Sequence, residues 1–227
     1  TKRLYRETTR KQIVKSERPL ENITPKKVNH FLKKVLVDSY HISEKVFTLD
    51  TMKILSAVVP FYLIGRKADA AVHRQLYDAE THRNKNQPPK WLKHLLADEM
   101  MAVPFVFYGM QGWAHTNPET RRAYQLFATG LLLTRSTKII VKQIKTESGL
   151  RPWHENFSRH ERSHGGNPSG HTSMAMYMAT YFGLLYGPKY AIPMGMYAAA
   201  VGGISVAVNH HYLSQVFAGA GLGAILG

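Results

Sequence analysis

The sequence predicts an all-α protein, a six-helix bundle that crosses a membrane. Three observations predict it. Of the 45 Asp, Glu, Lys and Arg residues, only Lys189 lies between Ser163 and Gly227, far too little charge to solvate the surface of a soluble unit of that length. Apolar segments recur along the chain with no strand-like alternation and no internal repeat. Glycines Gly202, Gly203, Gly219, Gly221 and Gly223 crowd the last two segments. Helices in water disfavour glycine, whereas helices in lipid use it for close packing.

The elements follow in order. Residues 1–50 form a basic N-terminal segment broken by Pro19 and Pro25, in which "PKKVNHFLKKVL" reads as a short amphipathic helix suited to an anionic membrane surface. Residues 51–227 form the helical domain. Its six candidate helices are 54–65 ("ILSAVVPFYLIG"), 100–118, 123–134 ("AYQLFATGLLLT"), 172–188, 190–208 and 212–227. The first and third are short for a full span, but flanking Lys and Arg can snorkel and lengthen them. Beginning at Thr1 and ending on "GAGLGAILG", the sequence reads as part of a longer chain.

Charge suggests an orientation. The net charge is +15, and the basic first 50 residues place the N-terminus in the cytoplasm by the positive-inside rule. Residues 145–171 and the turn at Asn209–His211 then share the opposite face, the periplasm if this is a bacterial inner membrane. The loop from Arg66 to Lys93, with seven Lys and Arg residues, runs against that rule. Nucleic acid is not an expected partner, because the basic residues form no recognised module. The absence of Cys excludes disulfides, thiolate metal sites and Cys nucleophiles.

Three polar clusters lie at one end of this bundle: "KTESGLRP" with Lys145 and Arg151, "PSGH" at 168–171, and "NHHYLSQ" at 209–215. Lys and Arg beside a tight turn can clamp a phosphate. In "PSGH" the proline sets a turn and the glycine lets backbone come close. The amides of the helix that follows face an anion with the helix dipole behind them. Ser169 adds a hydroxyl, His171 can give a proton to a leaving group, and His211 can act as nucleophile or base. Arg135, Lys138, Lys142 and Lys145 fall on one helix face, which in a membrane must meet an aqueous cavity or head groups.

These residues resemble the type 2 phosphatidic acid phosphatases, which share a fold with bacterial class A acid phosphatases and vanadium-dependent haloperoxidases. The family pattern is a lysine, six residues, Arg-Pro; then Pro-Ser-Gly-His; then Ser-Arg, five residues, His, three residues, Asp. The resemblance covers Lys145 to Gly227. It implies hydrolysis of a phosphate monoester or pyrophosphate on an amphiphilic lipid substrate. His211 would attack phosphorus and form a phosphohistidine, and His171 would protonate the leaving oxygen. Lys145, Arg151, Ser169 and Gly170 would bind the phosphoryl oxygens. Membrane lipids are the implied surroundings, and no metal or other cofactor is expected; Glu155 and Glu161 stand isolated. A soluble acid-phosphatase-like or haloperoxidase-like enzyme, or a catalytically silent lipid-phosphate binder, is the alternative.

The sequence departs from the pattern at three points. Five residues separate Lys145 from Arg151, while Lys142 leaves eight. The family's second arginine falls at Ser205, with Arg159, Arg162 and His210 as stand-ins. The family's aspartate falls at Gln215, which can orient His211 by hydrogen bond but brings no charge. On that reading, Gln215→Asp should raise the pKa of His211 and speed phosphoryl transfer.

Overall fold

The computed structural model describes residues 27–81, 83–85, 89, 91, 98–153 and 162–227. Among them are seven α-helices: α1 (Lys27–Glu44), α2 (Leu49–Leu76), α3 (Asp98–Ala114), α4 (Pro118–Lys142), α5 (Gly170–Tyr186), α6 (Pro188–Ala207) and α7 (Leu213–Leu226). The basic amphipathic helix is α1, and α2–α7 correspond to the six apolar segments. Pro19, Pro25, Lys93, Glu155, Arg159 and Glu161 lie outside the described residues.

The helices are longer or shorter than hydropathy alone suggests. The segment 54–65 is the middle of a 28-residue helix, so Arg66, Lys67 and Arg74 lie on α2 and not in a loop. Charge does not end a helix, because Arg and Lys are good helix formers. After α2 the chain makes a small ribbon, β1 (Tyr77–Asp78) antiparallel to β2 (Arg83–Asn84), which the absence of alternation had not announced. The segment 100–118 divides at a cap: Asn117 accepts from the Thr120 amide at 3.0 Å with Pro118 at the first position of α4, the preferred start of a helix. The segment 123–134 extends to Lys142 for the same reason that α2 does. Gly187, at φ 88°, ends α5 in a conformation open to glycine, and Pro188 opens α6.

α5 lies between α4, α6 and α7, and α7 lies between α5 and α2. The core is built on Phe127 of α4 and on Met174, Tyr177, Met178, Tyr181 and Phe182 of α5, with Val201 and Ile204 of α6. Two buried tyrosines satisfy their hydroxyls on α4 backbone: Tyr177 donates to Phe127 O at 2.9 Å and Tyr181 to Ala123 O at 2.6 Å. The glycines behave largely as expected. A Cβ at Gly219 or Gly223 of α7 would strike the carbonyl of Ser169 or Ser173 on α5, and one at Gly221 would strike Val58 of α2. Gly203 meets nothing within 4 Å.

The consequence for function is positional. The C-terminus of α4, the N-terminus of α5, the α6–α7 turn and the last turns of α2 meet at one end of the bundle, as helix alternation requires.

α1 is fastened to α4 by a buried ion pair. Arg122 holds Asp38 with two parallel bonds of 2.6 Å, and the two side chains are only 5% and 4% exposed. Removing one partner strands a buried charge, whereas an apolar pair of similar volume does not. Asp38→Ala should therefore cost about 3–5 kcal/mol of stability. Asp38→Leu combined with Arg122→Met should recover most of it, read as melting temperature in detergent.

Candidate phosphoryl-binding site

The α6–α7 turn presents His211. Asn209 sits at φ 61°, the left-handed position just past a helix end that asparagine tolerates. His210 N donates to Ser205 O at 2.9 Å and Asn209 N to Val206 O at 2.9 Å, the two bonds that close such an end. The Asn209 side chain donates to Trp153 O at 2.9 Å and accepts from His73 Nδ1 at 3.0 Å. On the far side of the turn, Asp69 of α2 accepts from Ser214 N at 3.0 Å and from Ser214 Oγ at 2.6 Å. A carboxylate at the first turn of α7 satisfies an orphan amide and complements the dipole. The turn is thus held from both sides by α2.

His211 is buried, and Gln215 lies one helical turn on. The Gln215 amide nitrogen donates to two backbone carbonyls, Leu150 at 2.7 Å and Ser148 at 3.1 Å. Its oxygen is therefore the acceptor, taking Tyr212 N at 3.1 Å and His211 Nδ1 at 3.3 Å. Nδ1 must carry the proton, and Nε2 is left as the basic nitrogen. Gly166 lies flat on the Gln215 amide, where a Cβ would come within 2.7 Å of both amide heteroatoms.

The cationic groups come from two sides. Arg151 donates to His210 O at 3.2 Å and to Gly165 O at 3.3 Å, which ties the loop after α4 to the histidine turn. Lys142, the last residue of α4, passes over Gly165, which has φ +91°. Burial, then the charges of Arg151 and Lys138, brings its ammonium down to about 8. Burial also lowers Arg151, which stays charged because a guanidinium ionises so weakly. His211 is pushed well below its usual value by burial first, then by Arg151, Lys142 and His210, against the opposing Gln215 bond. Its imidazole is neutral at physiological pH.

The "PSGH" turn follows a cis Asn167–Pro168 bond. Ser169 N donates to Gln215 O at 2.9 Å, which docks the start of α5 against α7. The Ser169 hydroxyl pairs with Thr172 Oγ1 at 3.0 Å. Gly170 and His171 form the first turn of α5, whose amides have no partner within the helix.

The expected residues are distributed as follows. Ser169, His211 and Gln215 are joined by the bonds above at one end of the bundle, Arg151 bonds His210 and Gly165 beside them, and Gly170 and His171 follow Ser169. Lys145 is exposed beyond the end of α4, while Lys142 reaches into the cluster. Ser205 turns its hydroxyl back onto Val201 O at 2.8 Å and offers no donor to the site. Arg162 instead donates to Tyr212 OH at 2.8 Å, and His210 contributes its backbone carbonyl. Sequence reasoning missed Asp69, His73 and Asn84, the last of which accepts from the Asn209 amide and donates to Val208 O, both at 3.3 Å. They lie far from the motifs, and the one signal was Asp69, a carboxylate in the interior of an apolar and basic helix.

Comparison with known proteins is consistent with this geometry. The family model described as the PAP2 superfamily matches residues 120–227. No curated protein and no solved structure matches the chain.

The two donated bonds of Gln215 turn the expected effect of Gln215→Asp round. A carboxylate at 215 would be too short to span the site and would face the carbonyls of Ser148 and Leu150 with no donor. Each buried group left unsatisfied costs about 1–3 kcal/mol. Gln215→Asp should therefore lower the melting temperature and slow any His211-dependent reaction. Gln215→Glu, of equal length, should retain more activity than Gln215→Leu because it still accepts from Nδ1. Thermal unfolding and turnover of the three variants check this.

Proposed function

Residues 120–227 belong to the PAP2 superfamily, and on that premise we propose that this protein is a membrane phosphatase that hydrolyses a phosphate monoester or pyrophosphate on a lipid. Membership implies phosphoester hydrolysis. The observation that carries the reading to particular residues is the Gln215 bond, which fixes the His211 proton on Nδ1, while burial and the neighbouring cations keep the ring neutral, so that Nε2 is unprotonated.

In this reading Nε2 of His211 attacks phosphorus, and the P–N bond forms as the bond to the leaving oxygen breaks. Gln215 holds the ring during the transfer and accepts from Nδ1–H throughout, so positive charge on the imidazole is borne beside a dipole, not a carboxylate. Arg151 and Lys142, with the Ser169 hydroxyl and the Gly170 amide, stabilise charge on the phosphoryl oxygens. Lys142 takes the place for which Lys145 was the first candidate. His171 protonates the leaving oxygen. Water then attacks the phosphohistidine and releases phosphate. No step calls on a metal ion.

The lipid part of the reading rests on exposed apolar surface. α6 is long and apolar enough to cross a membrane, and only 28% of its apolar window is buried within the protein, unlike a core helix of a soluble protein. Phe61 and Ile64 of α2, Phe107 and Met110 of α3, and Ile192 and Met196 of α6 are all exposed. Hydrocarbon is the solvent that suits them. With the basic N-terminal segment in the cytoplasm, the site end faces the periplasm of a bacterial inner membrane. The protein should stay with membranes through carbonate washing; monodisperse recovery without detergent would favour a soluble acid-phosphatase-like enzyme.

Activity is tested on detergent-solubilised protein with a panel of lipid phosphates and pyrophosphates, read as inorganic phosphate. His211→Ala should abolish release and the acid-labile phosphoenzyme. Parental turnover in that variant would overturn the phosphohistidine mechanism, and phosphate binding without turnover in the parent would favour the silent relative. The pH profile carries a sign. Lys142 loses its proton as pH rises through about 8, so one cation leaves the free site and kcat/KM should fall there. His211, shifted below its usual value, keeps its basic form down into mild acid, so the acid limb should lie below the ordinary histidine range.

A further inference from the structure

We propose that Lys138 is a direct phosphoryl ligand of this site, supplying from α4 the positive charge that Ser205 does not supply from α6. The inference rests on the phosphatase reading above and adds a residue to it.

The geometry is specific. A Cβ built on Gly170 would lie 2.7 Å from Lys138 Nζ and 3.0 Å from Lys138 Cε. The lysine stem therefore runs against Gly170 in the first turn of α5, with its ammonium beside that residue. A side chain of any size at 170 would occupy the same space. Lys138 and Lys142 are four residues apart on α4, hence on one face, and Lys138 acts on Lys142 as a like charge. Lys142 in turn acts on His211. The three groups are thus near neighbours: Lys138 over Gly170, Lys142 over Gly165, His211 beyond.

Two ammonium groups and a guanidinium gathered at one end of the bundle create a positive potential that attracts anions. The electrostatic neighbours that act on Lys142 and His211 are cationic or histidine groups. The Asp69 carboxylate is engaged with Ser214. Such a cluster suits an anion carrying more than one charge, bound between α4 and the start of α5. A phosphoryl group carried by a lipid and free inorganic phosphate share that chemistry.

The test is binding of orthovanadate and of inorganic phosphate to the purified full chain, with turnover of p-nitrophenyl phosphate alongside. Lys138→Met should weaken orthovanadate binding about 10- to 100-fold, the loss of one charge-assisted bond, while Lys138→Arg should stay within a few-fold of the parent. Lys138→Met should also move the alkaline limb of kcat/KM to higher pH, because the like charge of Lys138 would no longer act on Lys142. Parent-like binding and an unmoved limb in Lys138→Met would overturn the proposal. If that variant does not fold, reductive methylation of the parent decides. Orthovanadate should protect Lys138 but not exposed Lys145, and equal labelling with and without it would overturn the proposal. Arg151→Met separates the two readings. If it binds as the parent does, the phosphatase site itself is misassigned. If it loses binding while Lys138→Met does not, only the role of Lys138 falls.

Discussion

The hydrogen bonds of Gln215 hold the rest of the structure in register. One side chain and its own carbonyl join three separate pieces of chain. The amide nitrogen takes the backbone of Ser148 and Leu150, the amide oxygen takes Tyr212 and His211, and the carbonyl takes Ser169. Each bond is directional, and together they leave the amide one orientation. That orientation decides which nitrogen of His211 carries its proton. A carboxylate could accept from the ring but could not donate to two carbonyls. Gln215 is therefore matched to the loop it faces, and the loss of negative charge beside the histidine comes with a gain in cross-linking between the loop, α5 and α7.

The price of this neutral partner is an electrostatic imbalance. Burial and positive neighbours act in the same sense on Lys142 and His211. They keep the imidazole uncharged, and they keep the lysine close to losing its proton. On the phosphatase reading, a bound anion would offset that repulsion as well as making bonds, so binding and stability would be linked.

Much of this was legible from residue order, and the limits are instructive. The charge desert after Ser163 pointed to α5, α6 and α7, and the Arg-Pro, Pro-Ser-Gly-His and Asn-His-His clusters pointed to the site, because each is a short motif whose chemistry depends on local backbone. Lysine choice was not legible by counting. Lys145 lies nearer to the family spacing, but α4 ends at Lys142, and a side chain beyond the last turn points elsewhere. Helix ends on α2 and α4 were misjudged because hydropathy reports burial, whereas helices continue through charged residues that favour the conformation. The support from Asp69, His73 and Asn84 was largely beyond reach, since no local pattern announces a contact made between elements distant in sequence.

The bond between Asp69 and Ser214 joins residues 145 positions apart. Closing so long a loop has an entropic cost that must be met before the contact returns anything. The histidine turn lies inside that loop, next to its closing point. The packing of α4 on α5 closes shorter loops, as in the bond from Tyr177 to Phe127, but the histidine turn is not fixed until α7 has met α2. The placing of the histidine turn therefore depends on a contact of far greater sequence separation than those that join α4 to α5.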